Sequence, residues 1–492
     1  MPMHNNTANL NTPHNAAPTC EVISNYVTTV CQQIRWKKAR PRVADELTNH
    51  ISDSRDAYQA QGLPELEATA KAITDTGDAA LVGTQLDRVH RPKPQWGMLG
   101  AAAALTILGL VIYAFFAGGI SASRLIFTAI GAVGLVAAYF IDFTWLAKYP
   151  KTLLFAVSAV SIFISLLRSS HNLHIIGFGV RGTGILFPMQ FSTEPVILLF
   201  PLVLAIIIFY ARGKGYWGLT ICGLSFVLLI LSAMGVSVGG AARFAVIGFI
   251  LISVAIAKGM FNINKIFATV VAFCPAALLG LFVLALTIIN EFQRASMWQR
   301  IAVFFNPSVA PYTRGFWPMM IRGLLSEAVF FGQGGTEWFY VFFYPSLSRP
   351  LNVSNHSVLA ALIVLTGWAS FVVIVSALLF FLVKGASRCF RQKSSLGLLV
   401  SSAIMLTLAL QTLDYVVFNL GFQISSPISL PLVVSGNTAL VVNMVLIGFM
   451  LSVFRTGDAV MDKYHDTKTG KLVSWEDGKL VISFRSKAGQ SV

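Results

Sequence analysis

The chain has 492 residues, of which 55% are hydrophobic and 12% are charged, and its net charge is +15. Soluble domains usually carry about a quarter charged residues, so this composition excludes an ordinary soluble protein and predicts a chain surrounded mostly by lipid. The basic residues are scattered through short connections between apolar segments, which argues against nucleic acid as a partner.

The polar front of the chain divides into two parts. Residues 1–19 are rich in Asn, Thr and Pro, and predict a disordered tail. In residues 20–92, Gly62, Pro64 and Gly77 mark the ends and starts of helical segments. This pattern predicts a small cytosolic helical domain.

Apolar segments long enough to cross a hydrocarbon core of about 30 Å follow within residues 97–455. A broken, aromatic segment at 291–355 lies between the seventh and the eighth. The predicted fold class is an all-α polytopic membrane protein with ten transmembrane helices and a large extracytoplasmic loop between helices 7 and 8. The predicted spans are 97–117, 123–146, 151–168, 193–211, 215–234, 239–258, 266–290, 356–384, 395–418 and 430–454.

The distribution of Lys and Arg predicts the orientation, because cytoplasmic loops carry an excess of both. The loops after the even-numbered predicted spans are the richer ones, for example at Lys148, Arg212 and Arg388. We therefore expect both termini to be cytosolic. The last segment, 456–492, is expected to be a cytosolic tail with a β-hairpin that turns at Asp477-Gly478.

The five cysteines show no metal-ligand spacing such as CxxC, so we expect structural thiols, no metal and no cofactor.

The second half of the chain resembles a known family. The run SLPLVVSGNTALVVNMVLIGFMLSVFR is similar, without a gap, to PLPFISYGGSSLLVNLIALGLLLSISR of the FtsW/RodA/SpoVE family, and RIAVFFNPSVAPYTRGFW resembles its RI…FLNP…DP…GYQ segment. FFGQG stands where that family has LFGKG. The resemblance extends over 97–455, and residues on matching positions include Glu194, Arg300, Asn306, Gln411 and Gly436.

The front of the chain resembles a second module, the prefix domain fused to permeases and synthases in Gram-positive bacteria. The stretch IRWKKARPRVADELTNHISDSRDAY carries this resemblance. It implies a regulatory or signal-receiving role in the cytosol.

The first resemblance implies a peptidoglycan synthesis protein of the bacterial plasma membrane, active in cell shape, division or sporulation. Its expected activity is lipid II glycan polymerisation, and its expected partners are a lipid-linked cell-wall precursor, membrane lipids and a class B penicillin-binding transpeptidase. Such a transfer needs a base for the acceptor hydroxyl and positive charge for the leaving pyrophosphate. The implied substrate-binding residues are Arg300, Asn306, Glu194, Gln411 and Gly436.

The chain departs from the family at two carboxylates. His356 stands at the position of the aspartate in the family's HTDF motif, and Ser237 stands at that of the aspartate in PDLGTA. His356 is a candidate base because imidazole titrates near neutrality, and the alternative is an ordinary loop histidine. Glu327 and Glu337, on either side of FFGQGG, are the other catalytic candidates.

Several charged residues have two interpretations. Arg300 is suited to a pyrophosphate contact, but arginines beside Trp298, Trp317 and Trp338 also suit anchoring at the lipid headgroups. Ionisable residues inside spans are costly and often functional. Glu194 is expected to line a cavity or form an ion pair, and Asp414 to form interior hydrogen bonds; Asp142 and Arg243 are the other residues of this kind.

Two functions of other classes remain open. Loss of the family carboxylates favours a non-catalytic membrane regulator or receptor for a lipid-linked ligand, with the prefix domain signalling in the cytosol. A transporter is suggested by the GFGVRGTG stretch, which has the composition of a re-entrant loop, although no paired half-repeat accompanies it.

Overall fold

The structure is a computed structural model. It describes residues 16–169, 194–289, 291–334, 356–457 and two short strands, apart from single positions at 38, 93, 393, 424, 425 and 435. The chain forms two compact units, one built on Met1–Gln95 and the other on Trp96–Phe454.

The first unit contains the four predicted helices, packed around a small apolar core that includes Val30, Leu47 and Ile51. The first helix begins at Ala16 rather than at residue 20, because Thr19 is buried and its hydroxyl donates to Glu65 Oε1 at 2.9 Å. The helices are α1 (Ala16–Gln33), α2 (Arg40–Ala60), α3 (Glu65–Thr76) and α4 (Ala79–His90).

In its described part, the second unit is built of α-helices, with 3₁₀ turns at Phe143–Lys148, Glu194–Leu199 and Pro307–Val309. Its helices are α5 (Trp96–Ala117), α6 (Ala122–Phe140), α7 (Pro150–Ser169), α8 (Phe200–Ala211), α9 (Gly215–Val236), α10 (Val238–Ala257), α11 (Lys265–Ile289), α12 (Glu291–Phe305), α13 (Phe316–Ser326), α14 (Val358–Thr366), α15 (Trp368–Phe390), α16 (Ser395–Asn419) and α17 (Asn437–Thr456).

In the part of the chain that the structure describes, eight helices are long and apolar enough to cross a membrane. Two shorter apolar stretches, Pro150–Leu166 and Lys265–Cys274, lie in α7 and α11, at the third and seventh predicted spans. The all-helical membrane architecture is therefore confirmed, and the count of ten spans stays a prediction.

The eighth predicted span, 356–384, is two helices rather than one. The helix is interrupted at Gly367, whose φ of 93° favours glycine. A second helix then begins at Trp368 and ends at Phe390. The FFGQG segment fills this break: the N–H groups of Trp368 and Ala369 donate to the carbonyls of Val329 and Phe330 at 3.0 and 3.1 Å. In return, Gly332 and Gly334 donate to the carbonyls of Thr366 and Val364. We call 329–334 and 364–369 the Gly367 junction.

Two other predicted span limits are wrong. The second span ends at Phe140 rather than at residue 146, because Asp142 accepts from the N–H of Thr144 at 3.1 Å and begins a 3₁₀ turn. Asp142 therefore lies after the spanning helix. The tenth span begins at Asn437 rather than at residue 430, since Leu430 and Val434 pair as an isolated bridge before it.

Residues that match the family in α17 pack against α6. A Cβ added at Gly448 would lie 2.5 Å from the carbonyl oxygen of Leu135, so the two helices approach closely at this point. The Ser452 hydroxyl donates to the carbonyl oxygen of Ile141 at 2.7 Å. Small residues and such hydrogen bonds stabilise helix pairs in lipid, and the match at these positions therefore reflects packing.

The predicted loop 291–355 contains α12 and α13 in its described part. Arg322 on α13 joins the end of α12 to the end of α16. Its guanidinium donates to the carbonyls of Phe304, Phe305 and Gly421 at 2.9, 3.2 and 2.9 Å, and lies 4.4 Å from the ring centroid of Phe422. This arginine therefore holds the loop helices against the spans.

At the carboxyl end, the predicted hairpin strands are present as β1 (Val473–Glu476) and β2 (Lys479–Ile482), which pair antiparallel. The predicted turn at Asp477-Gly478 lies outside the described residues.

Candidate functional site

A cleft opens where α8 and α10 begin and α16 ends. It has about 360 Å³ of empty space, part of it open to the surroundings. Most of its wall is apolar, whereas Arg243 and Asp414 are the charged residues among the described lining. The cleft is lined by Ile197, Leu198, Pro201, Gly240, Arg243, Phe244, Ile247, Thr407, Leu410, Gln411, Asp414 and Ile428.

Local sequence explains why helices begin at the cleft. Pro201 lies in the first turn of α8, where its missing N–H leaves no hydrogen bond unmade. Ser237 precedes α10, and its hydroxyl accepts from the N–H of Gly240 at 3.3 Å. The residue at the family's second carboxylate position is thus a helix cap in this chain. The amino end of α10, which carries partial positive charge, therefore borders the cleft at Gly240.

An ion pair crosses the cleft between α10 and α16. Arg243 Nη1 donates to Asp414 Oδ2 at 2.5 Å and to the carbonyl oxygen of Ser426 at 3.4 Å. The two charged side chains are 14% and 24% exposed, so both can be reached from the cleft. An ion pair that joins two spans in this way holds them in register and also offers a cation and a carboxylate to a ligand.

The loop after α16 forms one side of the cleft. Gln411 is buried, and its Nε2 donates to Ser429 Oγ at 2.6 Å, while its Oε1 is buried with no hydrogen-bond partner among the described residues. Ile428 lines the cleft directly. Arg243 and Gln411 therefore both attach this loop, one at Ser426 and one at Ser429.

Two of the predicted substrate-binding residues lie at or next to the cleft. Gln411 lines it. Glu194 is half-buried at the start of the 3₁₀ turn Glu194–Leu199, and Ile197 and Leu198 of that turn also line the cleft.

The remaining predicted binding residues do not line the cleft. Arg300, on α12, is exposed. The partial burial of its side chain, together with the nearby charge of Arg314, lowers the pKa of its guanidinium from the usual value. Asn306 makes a turn, with its side-chain oxygen accepting from the N–H and the hydroxyl of Ser308 at 3.2 and 2.6 Å. Gly436 immediately precedes α17, where its carbonyl accepts from the N–H of Leu440.

Two of the predicted catalytic residues, His356 and Glu327, are also separate from the cleft lining. The carbonyl of His356 accepts from Asn419 Nδ2 at 2.9 Å, and its Nδ1 is buried without a partner within the described residues. Glu327 is exposed at the end of α13. Glu337 lies outside the described residues, as do Trp338 and the GFGVRGTG stretch.

Sequence reasoning named Arg243 and Asp414 separately and missed their pairing; interior hydrogen bonding was the expectation for Asp414. A signal for the pair was available. Arg243 lies near the start of the sixth predicted span and Asp414 near the end of the ninth, and the predicted orientation places both positions at the same membrane face.

Known proteins match this chain in structure but not in sequence comparisons. No protein-family model matches the chain, and no curated protein matches it in sequence. A chain from the structure described as "Structural coordination of polymerization and crosslinking by a peptidoglycan synthase complex" matches with a TM-score of 0.50 and 19% identity. The match covers 74% of this chain and 98% of that one.

Two structures of the rod shape determining protein RodA from Thermus thermophilus, one of them a mutant, also match. Their TM-scores are both 0.44, with 15% and 16% identity, and each covers 74% of this chain. The first match establishes the class: this is a multi-pass membrane protein with the fold of a chain found in a peptidoglycan synthase complex.

Proposed function

We propose that this protein is a divergent member of the FtsW/RodA/SpoVE family that acts in peptidoglycan synthesis and binds a lipid-linked cell-wall precursor in the cleft. The observation that carries the proposal is a charged cleft, Arg243 with Asp414, set in a fold shared with a peptidoglycan synthase chain. An apolar wall suits a prenyl chain, and a guanidinium beside the amino end of α10 suits its pyrophosphate.

The proposed reaction is extension of a glycan strand from lipid II. Arg243 would hold the leaving pyrophosphate, and Gln411 with the Ser426–Ser429 loop would shape the acceptor side. His356, Glu327 and Glu337 stay candidate bases, and Arg300 and Asn306 stay candidate contacts to the precursor. The partner proposed is a class B penicillin-binding transpeptidase, which the fold shared with a chain of a peptidoglycan synthase complex supports.

The proposed orientation has both termini in the cytosol of a bacterium and the cleft at the outer face of the plasma membrane. The opposite end of α8 supports this. There, Lys214 Nζ and Lys151 Nζ lie 3.3 and 5.9 Å from the ring centroid of Tyr210, and the Arg212 guanidinium carbon lies 4.0 Å from that of Phe209. Such basic ends usually face the cytosol.

The decisive test is glycan synthesis by the purified full-length protein, embedded in lipid nanodiscs, supplied with lipid II, and assayed with and without a class B transpeptidase. We expect glycan strands with at least one of the two mixtures, and their loss in Arg243→Gln. Arg212→Gln, which removes the same charge at the opposite end of α8, is the matched control and should retain activity. Absence of glycan from the wild-type protein in both mixtures would refute the enzyme proposal.

A tag test checks the orientation. An epitope inserted after Tyr312, which is 95% exposed, should be reached by antibody from outside the cell, whereas one at the amino end should not. Detection of both tags on one side would contradict the proposed topology.

One observation favours a second candidate function, a receptor for the lipid-linked ligand that performs no chemistry. Neither family carboxylate position holds an acid, and Ser237 serves as a helix cap. A protein that binds the lipid precursor through Arg243 and makes no glycan would support the receptor.

A further inference from the structure

We infer that the Arg243–Asp414 pair is opened by its ligand: the diphosphate of a lipid-linked sugar displaces Asp414 from Arg243, and the released carboxylate then takes a proton from the acceptor hydroxyl. This inference rests on the proposed function and assigns the anion site and the base within it. Nothing in the family resemblance marks either residue.

The geometry of the pair allows displacement. A guanidinium has five N–H donors, and Arg243 directs one nitrogen at Asp414 Oδ2 (2.5 Å) and at the Ser426 carbonyl (3.4 Å). Both side chains line the cleft and are partly exposed to it, so an incoming anion reaches the pair without unfolding a helix.

A diphosphate competes well for this position. It carries more negative charge than one carboxylate and offers several oxygens to the guanidinium fork. The amino end of α10 borders the same cleft at Gly240, and its partial positive charge attracts the diphosphate further.

Displacement changes what Asp414 can do. While Asp414 Oδ2 accepts from Arg243 Nη1, that oxygen is occupied by the guanidinium, and displacement frees it to accept from the acceptor hydroxyl. Asp414 is therefore available to the acceptor proton only when the donor is bound. This order couples proton transfer to occupation of the site.

The chemical step balances without a further reactant. The acceptor oxygen forms a bond to the anomeric carbon of the donor sugar, and the bond between that carbon and the diphosphate oxygen breaks. The diphosphate leaves with the electron pair and stays on Arg243, while the proton of the acceptor hydroxyl passes to Asp414.

Binding of three probes to the full-length protein in nanodiscs tests the displacement. The probes are a polyprenyl diphosphate, the matching uncharged polyprenol and inorganic pyrophosphate. We expect Asp414→Asn to tighten binding of the polyprenyl diphosphate about tenfold, because the competing charge is gone, and Arg243→Gln to weaken it about tenfold. Polyprenol binding should not change in either variant. Pyrophosphate binding that follows the same pattern without the prenyl chain would identify a free-anion site and overturn the lipid-linked assignment.

The variants separate this role from a structural one. Asparagine keeps an oxygen that can accept from Arg243, so Asp414→Asn is expected to fold, and thermal unfolding checks that it does. Asp414→Glu is the second variant and should regain part of the synthesis that Asp414→Asn loses. Arg212→Gln is the control and should bind every probe as the wild type does.

The possible failures are distinguishable. If the wild type makes no glycan but Asp414→Asn binds the diphosphate more tightly, the enzyme proposal falls and the anion site stands. If the wild type makes glycan and folded Asp414→Asn shows neither tighter binding nor reduced synthesis, the inference is overturned and the proposed function stands.

Discussion

Two regions of the membrane unit, the Gly367 junction and the cleft, are held together by different kinds of interaction. In the junction, four backbone N–H groups pair with carbonyls across the break between α14 and α15. In the cleft, the spans are joined by side chains, Arg243 to Asp414 and Gln411 to Ser429. The junction therefore depends on the conformation of the backbone, and the cleft depends on the identity of particular side chains.

This difference bears on where the chain resembles the FtsW/RodA/SpoVE family. FFGQG resembles the family's LFGKG, and this segment packs against the backbone at Gly367, where an added Cβ would lie 2.4 Å from the carbonyl oxygen of Phe330. The cleft depends instead on the side chains of Arg243 and Asp414, and a side-chain pair can be replaced by another pair without moving the backbone. We therefore expect the junction to be sensitive to shape and the cleft to be sensitive to charge.

The largest effect is expected from Gly367→Ala, which tests the junction. Positive-φ strain and overpacking against the Phe330 carbonyl together should destabilise the fold by about 3 kcal/mol or more. The loss of stability is measured by heating the protein in detergent and recording, by gel filtration, the fraction that stays folded at each temperature. Gly323→Ala on α13 is the matched control, because an added Cβ there meets nothing within 4 Å. Equal stability of the two variants would contradict the backbone argument.

The second prediction concerns the cleft pair. Asp414→Leu leaves the Arg243 charge without its carboxylate between two spans, and should destabilise by about 3 kcal/mol. Adding Arg243→Met should recover most of that loss, because two apolar side chains pack without a desolvated charge. A double-mutant cycle on unfolding free energies measures the coupling. If the double variant is as unstable as Asp414→Leu, the pair is not what joins α10 to α16.

A third, smaller effect is expected at Arg322. This residue lies on α13, which precedes the junction, and it contacts the end of α16, the helix that carries Asp414. Arg322→Gln removes most of its hydrogen bonds to three carbonyls, each contributing about 1 kcal/mol, and should destabilise by about 2 kcal/mol. Exposed Arg314 gives the control, Arg314→Gln. No difference between them in thermal unfolding would show that the carbonyl contacts contribute little.

The smallest effect is expected from Phe331→Ala in the junction. This ring is 75% exposed, and the junction's hydrogen bonds come from the backbone, so stability should change by only about 0.5 kcal/mol. A loss as large as that of Gly367→Ala, measured in the same unfolding assay, would show that the aromatic side chains hold the junction.

Most of the fold could be predicted from the sequence, because apolar runs of spanning length leave few alternatives in lipid. The break at Gly367 could not, since α14 and α15 form one apolar run in the sequence and the break depends on hydrogen bonds with residues thirty or more positions earlier. The sequence places Asp142 inside a span because apolar residues surround it. Its role as the cap of a 3₁₀ turn depends on the backbone geometry at Thr144, which the sequence does not show.

The candidate site was less accessible to sequence reasoning. Gln411 was found through the resemblance, but the Arg243–Asp414 pair joins residues 171 positions apart, and composition carries no information on such a contact. The family match instead drew attention to Arg300, Asn306 and Gly436, which lie away from the cleft lining.

The Leu430–Val434 turn has a consequence for movement. It follows directly on the loop that Arg243 and Gln411 attach, and it lies so close to α5 that a Cβ at Gly109 would be 2.5 Å from the Val433 carbonyl oxygen. Helix α5 is also the first helix after the amino-terminal unit in the chain. Because α5 and the turn are in contact at Gly109, a shift of α5 along its axis would collide with the turn, and we expect this helix and the loop beside the cleft to move together.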